Sequence, residues 1–423
     1  MAGVKWYGEG VFHRETVPGK DMSANYVSPL VPGALIYNRL FAWKASFAIV
    51  PKEAAGWFVS NEFPQFEVDA AQATAEFLRL FCLTKPVLDA VNRASAGSAA
   101  VSRNRLKESA FLDLQIALPP LTTQRAIVAH WQKAQGDAAA EEREAEQVED
   151  EANSAFLHDL GLDAPESNAR RRAFAVRWSE AERWGLEWNH QRLSQAKPSA
   201  GKYAAVPLGE LLDGVQYGTS DKANTEKRGV TVLRMNNIVD GRIDLRDLKH
   251  VPLQQKDVDR WRLNVGDILV IRTNGSRDLV GTCAVFHAAG DYVFASYLIR
   301  LVVDKARAVP EFVAAVINSA AGRAQINAVS RQIMQNNINS QELRGLRIPL
   351  PPLTVQSELV AKFNTARQRA DALRAQADKR RDACREEVEA MILGHRPVLV
   401  EAAQAANQEI EATYKDSTKI RAS

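Results

Sequence analysis

The stretch Ile116-Ala-Leu-Pro-Pro-Leu-Thr-Thr-Gln-Arg-Ala-Ile-Val-Ala-His-Trp-Gln-Lys-Ala-Gln135 returns about 232 residues later as Ile348-Pro-Leu-Pro-Pro-Leu-Thr-Val-Gln-Ser-Glu-Leu-Val-Ala-Lys-Phe-Asn-Thr-Ala-Arg367. A chain that closes two regions with the same proline pair and the same helix start is built by duplication, and its task is something done twice. Upstream, Pro32-Gly33-Ala-Leu-Ile-Tyr-Asn-Arg39 lines up with Val265-Gly266-Asp-Ile-Leu-Val-Ile-Arg272, a glycine turn feeding an apolar strand that ends in arginine. Val59 to Asp69 parallels Phe294 to Asp304, and Glu76-Phe77 parallels Glu311-Phe312 at the start of a helical stretch. The repeat is a whole domain followed by a helix.

Short β-rich runs such as Val230-Thr-Val-Leu-Arg234, Asp267-Ile-Leu-Val-Ile271 and Ser296-Tyr-Leu-Ile-Arg-Leu-Val-Val303 are separated by Gly, Asn and Asp turns. With helical segments near 75 to 93 and 310 to 329, each copy is expected to be α+β. After each Pro-Pro pair, Thr122 and Thr354 are candidate N-caps for a long helix. Its seam is a heptad: Ile127, Trp131, Ala134, Ala138, Glu141, Ala145, Val148, Ala152 and Ala155 in the first helix. Leu359, Phe363, Ala366, Ala370, Leu373, Ala377, Arg380 and Cys384 match them in the second, continued by Val388 and Met391. Two such helices are expected to pair as a closely spaced, alanine-rich coiled coil. A helical hairpin inside one core is the competing reading, which the intervening domain disfavours. Some 38 residues of helix make a rod on the order of 57 Å long, enough to keep two domains apart.

A length of 423 residues predicts two or three domains, and 46% hydrophobic with 25% charged residues is ordinary for a globular chain with real cores. Cys82, Cys283 and Cys384 lie far apart without CxxC spacing, which argues against a disulfide framework or a zinc site. No apolar run reaches the roughly 18 residues that span a bilayer, and the start lacks a signal-peptide pattern, so no membrane association and a cytoplasmic location are expected. The formal net charge of +3 hides an uneven distribution: residues 170 to 350 are basic, and 137 to 159 are strongly acidic. A polyanion would be held by the first region and repelled by the second. The sequence holds no N-P-P-[YF], GxGxxG, Walker A or HExxH segment, and its 7 histidines are scattered without metal-ligand spacing.

Two globular domains, two LPPLxxQ segments and two long helices together resemble the specificity subunit of type I restriction-modification systems. The resemblance covers nearly all of residues 5 to 394. Tyr37-Asn-Arg-Leu-Phe-Ala-Trp-Lys44 with Ser60-Asn-Glu-Phe63 looks like a first target recognition domain. Leu233-Arg-Met-Asn-Asn-Ile238, Gly266-Asp-Ile-Leu269, Arg272-Thr-Asn-Gly-Ser276 and Asn336-Asn-Ile-Asn339 look like a second. The resemblance implies a fold of two tandem pseudo-symmetric recognition domains separated by two long antiparallel coiled-coil helices. It places the first domain at 1–121, shortened at its N-terminus, and the first spacer helix at 122–162. The second domain spans 172–353, the second helix 354–394, and a weakly ordered extension 395–423.

The implied function is the reading of a bipartite double-stranded DNA site by a non-catalytic subunit. Two DNA methyltransferase subunits and the restriction/translocase subunits are the implied partners. S-adenosylmethionine and ATP would sit on those partners, with no cofactor in this chain. A different class of function, a coiled-coil scaffold joining two protein-binding domains without DNA contact, remains open at this point. The copies are unequal: a lead-in to the second domain, from Arg172 through Trp178, Trp184, Trp188 and Val206-Pro-Leu-Gly-Glu-Leu-Leu212, has no counterpart in the first. Missing strands would expose a sheet edge and apolar surface.

Arg and Lys suit guanine edges or phosphates, and Asn and Gln suit adenine, so loops dense in these residues are candidate readers. Asn38, Arg39, Trp43 and Lys44 form one group. Arg272, Thr273, Asn274, Ser276 and Arg277 form a second, joined by Arg234, Asn236, Asn237, Gln335 and Asn337. Each position is equally well read as a turn cap or a solvated side chain. Arg39 and Arg272, identical between copies, suit phosphate contact or fold support, whereas Gly275-Ser276-Arg277 opposite Phe41-Ala42-Trp43 marks a place where base readers would differ. The acidic helix is expected to face its paired helix or a protein partner rather than DNA.

Overall fold

The computed structural model describes residues 1–21, 26–95, 105–162, 201–329, 331–332 and 336–398. Arg172, Trp178, Trp184, Trp188, Gln335 and the tail from 399 onward therefore lie outside the described residues. The chain divides into two compact units, residues 1–144 with 372–423 and residues 145–371.

Unit 1 runs through β1 (Ala2–Val4), β2 (Val11–His13), β3 (Val27–Pro29), β4 (Leu35–Tyr37), β5 (Phe47–Ile49), β6 (Phe58–Ser60) and β7 (Gln65–Phe66). These are followed by α1 (Ala75–Cys82), α2 (Lys85–Ala94), α3 (Glu108–Leu112) and α4 (Leu121–Asp159), which continues into unit 2. Unit 2 opens with β8 (Ala205–Pro207), β9 (Leu212–Tyr217), β10 (Val230–Leu233), β11 (Ile238–Val239), β12 (Arg242–Ile243), β13 (Lys249–Val251) and α5 (Gln255–Trp261). Next come β14 (Ile268–Ile271), β15 (Thr273–Asn274), β16 (Cys283–Val285), β17 (Tyr292–Phe294), β18 (Leu298–Val303), α6 (Pro310–Asn318) and α7 (Ala320–Val329). The unit ends with β19 (Arg331–Gln332), β20 (Asn336–Asn337), α8 (Ser340–Arg344), β21 (Arg347–Pro349) and the first part of α9 (Leu353–Ile392).

The glycine-led apolar runs become the central strands of both units. Gly33 and Gly266 sit at φ 85° and 96°, a backbone conformation that an L side chain rarely adopts. Their N–H groups donate to the Val50 and Phe286 carbonyls, so each turn starts its strand in the same way. β4 then pairs antiparallel with β5 and β7, and β14 pairs antiparallel with β16 and β18. Phe77 of α1 and Phe312 of α6 are fully buried against these sheets. The fold is α+β, given twice.

Each helical stretch expected after the sheet is broken into two. Thr84 and Ser319 are buried at the breaks, and their hydroxyls donate back to the Phe81 and Val316 carbonyls at 2.8 Å and 2.7 Å. That local bond competes with the helical ladder and ends it.

The copies differ at the sheet edge. In unit 2, β9 pairs with β18, and β8 pairs with β21, so that Ile348 is buried. In unit 1 no described strand pairs with the outer side of β7 or with the segment equivalent to β21. Its Ile116 and Leu118 are 39% and 44% exposed, and Leu112 is 66% exposed. An aromatic cluster of Tyr37, Phe47, Phe66 and Phe111, with Tyr37 and Phe111 ring centroids 4.9 Å apart, forms the core on that side.

The long helices begin at Leu121 and Leu353, one residue before the candidate caps Thr122 and Thr354. Pro120 and Pro352 hold the capping position, because their carbonyls accept the N–H groups of Gln124 and Gln356. Within each unit the two helices run antiparallel. In unit 1, His130 meets Glu387, and Glu141 and Glu142 meet Arg380 and Arg381. In unit 2, Asp159 meets Lys362, and the ring of Phe156 lies against Phe363. The expected seam is buried at Ile127, Ala138, Ala145, Leu359, Ala370, Ala377, Cys384 and Val388.

Ala155 is the exception: it is exposed and Phe156 takes the buried position. A straight helix with 3.6 residues per turn drifts from a 3.5-residue repeat, and the larger ring fixes where that drift ends. The two polar residues in the expected seam, Glu141 and Arg380, are each other's partner at 2.6 Å. The Arg380 guanidinium holds the Glu141 carboxyl below the usual carboxylate range. A polar pair inside an otherwise alanine-rich seam favours one register, and Arg380 also reaches Asp137 at 3.7 Å, one turn along the same helix.

Candidate nucleic-acid interface

Arg39 and Arg272 end equivalent strands and are held by the same backbone frame. The Arg39 N–H donates to the Glu62 carbonyl and its own carbonyl accepts the Leu106 N–H, both at 2.9 Å. The Arg272 N–H donates to the Tyr297 carbonyl and its carbonyl accepts the Ile338 N–H, again at 2.9 Å. Leu106 and Ile338 are fully buried, so both arginines leave from rigid ground.

Around that shared frame the side chains diverge. Arg39 Nη1 donates to the Asn61 carbonyl at 3.4 Å and pairs with Glu108 at 3.6 Å, while Arg105 pairs with Glu62 at 2.7 Å. Arg272 instead lies over the ring of Tyr217, 4.9 Å from its centroid. The Tyr217 hydroxyl accepts the Ser340 N–H at 3.1 Å and thereby holds the ring in place. Tyr297 is 54% exposed. The first arginine thus faces a carboxylate and the second an aromatic ring.

In unit 2 the structure gathers most of the candidate readers. β15 pairs with β20, which pairs with β19, so that Thr273 lies opposite Asn337. Asn274 Oδ1 accepts the Ser276 N–H at 2.9 Å, and its Nδ2 reaches the Met235 sulfur at 3.6 Å, drawing the turn that carries exposed Asn236 toward this loop. Ser276 and Arg277 are exposed, with Arg277 Nη2 donating to the Asn327 carbonyl at 2.9 Å near the end of α7. Gln335 lies outside the described residues.

Two candidates turn inward. Asn237 is buried, its Nδ2 donating to the Asp244 and Asp247 carbonyls at 2.9 Å and its Oδ1 accepting the Arg234 N–H at 2.9 Å. Arg234 Nη2 pairs with Asp247 at 2.9 Å and braces the same turn.

In unit 1, Asn38 is also buried, and its Oδ1 accepts the Leu40 N–H at 3.0 Å. Trp43 Nε1 donates to the Leu40 carbonyl at 3.1 Å, and Lys44 Nζ lies 3.7 Å from the Trp6 ring centroid and 5.1 Å from that of Trp43. Arg39 faces a different set of groups from this aromatic platform.

Tyr217, Tyr297 and Trp6 are absent from the sequence-derived candidates, yet all are partly exposed beside them. For Tyr217 a signal existed: an aromatic residue closes an alternating strand and is followed by Gly218. For Trp6 none did, because its neighbours Phe41 and Lys44 are distant in sequence. Fixed cations beside aromatic faces and amides offer hydrogen bonds to base edges, attraction to phosphates and flat surfaces for stacking. Among the described residues no group of three or more His, Cys, Asp or Glu side chains is placed to hold a metal ion, and no helix is long and apolar enough to cross a membrane.

No family model matches the chain. It is 25% identical over 291 residues to the type I restriction enzyme StySPI specificity subunit of Salmonella potsdam, an alignment covering 68% of this chain and 58% of that protein. It is 23% identical over 290 residues to the type I restriction enzyme EcoKI specificity subunit of Escherichia coli K12, with the same coverage. The aligned part spans 58% of the length of both relatives. A solved chain from work on complex assembly and conformational transition of the type I R-M system superposes with a TM-score of 0.53 at 17% identity, covering 86% of this chain and 81% of that one. That structural likeness establishes the fold. Taking the two sequence matches with the duplicated α+β fold, the chain is a homologue of the type I restriction enzyme specificity subunits.

Proposed function

We propose that the chain is the DNA-reading subunit of a type I restriction-modification complex. The observation that carries this reading is the pair Arg39 and Arg272, held on one backbone frame and set in different surroundings. Two identical arginines on a common frame suit phosphate contacts that anchor both halves, and their unlike neighbours suit half-sites of different sequence. In this proposal residues 1–121 and 172–353 are the two target recognition domains, 122–162 and 354–394 the spacer helices, and 395–423 an extension.

Arg39, Trp43 and Lys44 contact one half-site. Arg272, Thr273, Asn274, Asn236, Ser276, Arg277, Gln335 and Asn337 contact the other, with Tyr217 and Tyr297 beside them. Asn38, Arg234 and Asn237 hold the reading loops in shape and do not touch DNA. Chemistry belongs to partners: two methyltransferase subunits carrying S-adenosylmethionine, and restriction/translocase subunits using ATP. The chain itself contributes recognition and placement, in the cytoplasm, with no cofactor of its own. A scaffold without DNA contact would account for the helices but gives no reason for two matched arginines among unlike neighbours.

Co-expression with candidate methyltransferase subunits, followed by mapping of methylated adenines, tests the proposal. The expected outcome is methylation at two short sequences separated by an indifferent spacer. Absence of both a complex and a methylation pattern overturns it.

A further inference from the structure

The glutamine of each LPPLxxQ segment is buried completely, which is rare for an uncharged polar side chain of that length and calls for a full set of partners. Gln124 Oε1 accepts the Thr74 N–H at 3.0 Å, and its Nε2 donates to the Gln72 and Pro119 carbonyls, both at 2.9 Å. Gln356 Oε1 accepts the Val309 N–H at 2.8 Å, and its Nε2 donates to the Arg307 and Pro351 carbonyls at 3.2 Å and 2.9 Å. Thr74 and Val309 are the residues just before α1 and α6, the first helices to follow the sheets. In both units, then, one side chain ties the start of the long helix to the backbone that enters the domain's own first helix, and also to the Pro-Pro segment between them.

We infer that Gln124 and Gln356 are positioning residues that make each Leu-Pro-Pro-Leu segment a fixed joint, and that this joint restricts the complex to one spacing between its half-sites. The inference rests on the DNA-reading function proposed above. Two prolines fix φ, and the second holds the first at an extended ψ, but the ψ of the second proline stays free, so a Pro-Pro pair by itself still permits rotation. Three hydrogen bonds from one buried amide remove that freedom, and breaking any of them strands a buried donor or acceptor. The leverage is large: when a domain swings by about 15°, a point one radius of gyration, about 13 Å, from the pivot moves by roughly 3.4 Å, one base-pair rise.

The test uses the complete complex carrying Gln124→Ala, Gln356→Ala or both, scored by methylation mapping on substrates whose spacer differs by one base pair in either direction. The variants are expected to methylate the same two half-site sequences as the wild type, and to accept at least one neighbouring spacer at a rate within about tenfold of the original. Gln124→Met and Gln356→Met keep most of the buried volume while removing all three hydrogen bonds, and guard against a failure of the alanine variants to fold. They are expected to relax the spacing as the alanine variants do.

Hydrogen exchange supplies a second readout on the chain alone, with the Thr74 and Val309 amides losing protection at least about tenfold in the matching alanine variants. Retention of a single spacer in all variants overturns the inference, as does loss of half-site preference, which would mean that the glutamines support the domains rather than their placement. A wild-type complex that methylates nothing defeats the DNA-reading proposal instead, and unchanged amide protection then independently defeats the joint.

Discussion

At the scale of single residues, adjacent asparagines in one turn have opposite fates. Asn236 is exposed, while Asn237 is buried and makes three hydrogen bonds that close the turn between β10 and the strands after it. Asn237→Ala is expected to cost about 2 kcal/mol by stranding buried carbonyls and an N–H, whereas Asn236→Ala stays within about 0.5 kcal/mol and alters DNA preference instead. Denaturant midpoints of the two variants check this, and equal losses would contradict it.

The three cysteines are buried. Burial pushes the thiols of Cys82 and Cys283 up to about 12 and that of Cys384 up to about 11. At pH 8 the reactive thiolate is therefore scarce in the folded chain, and alkylation is expected only after denaturation. Fast labelling of the native protein would refute that. Residue type was enough to nominate Arg39 and Arg272, but it could not separate Asn236 from Asn237, since both are equally good caps and readers until the partners at Asp244 and Asp247 are in place.

At the scale of elements, the two Leu-Pro-Pro-Leu approaches have near-identical sequences and unlike surroundings. Ile348 is buried within the β8–β21 pair, and Ile116 is 39% exposed. Ile348→Ser is expected to destabilise by about 3 kcal/mol and Ile116→Ser by less than about 0.5 kcal/mol, read from domain melting. Similar costs at both sites would show that Ile116 is covered in solution.

The helix pair carries a pH dependence with a definite sign. Hydrogen bonds from Arg380, Arg381 and Arg396 hold Glu141, Glu142 and Glu387 below the usual carboxylate range. Lowered folded-state values give stability that is present above the unfolded value of roughly 4.3 and lost as pH falls through the folded values. Acid titration followed by helical circular dichroism should show this loosening, and Glu141→Gln should blunt it. An acid response identical in that variant would remove Glu141 from the account. The heptad reading located almost the whole seam, but not Phe156, because the drift of a real helix accumulates with length and its endpoint depends on which ring fits the neighbouring Phe312 and Phe363.

At the scale of the whole molecule, the duplication and the spacer helices together make a prediction about DNA. Inserting one heptad between Glu144 and Ala145 and another between Asp371 and Ala372 lengthens both helices by about 10 Å, or roughly three base pairs, without touching either domain. The preferred spacer is expected to grow in methylation mapping, with both half-sites unchanged. A spacer that stays fixed would end the idea of the helices as a ruler.

The amino-acid sequence by itself determined the duplicated α+β plan, the strands led by Gly33 and Gly266, and the two long helices, because glycine turns, alternation and heptads are local periodicities written in consecutive residues. Tertiary structure alone decided which polar residues face inward, which strand edges are paired, and that Gln124 and Gln356 close each joint. Those outcomes depend on hydrogen-bond partners some 50 residues away, whose arrival no local pattern encodes.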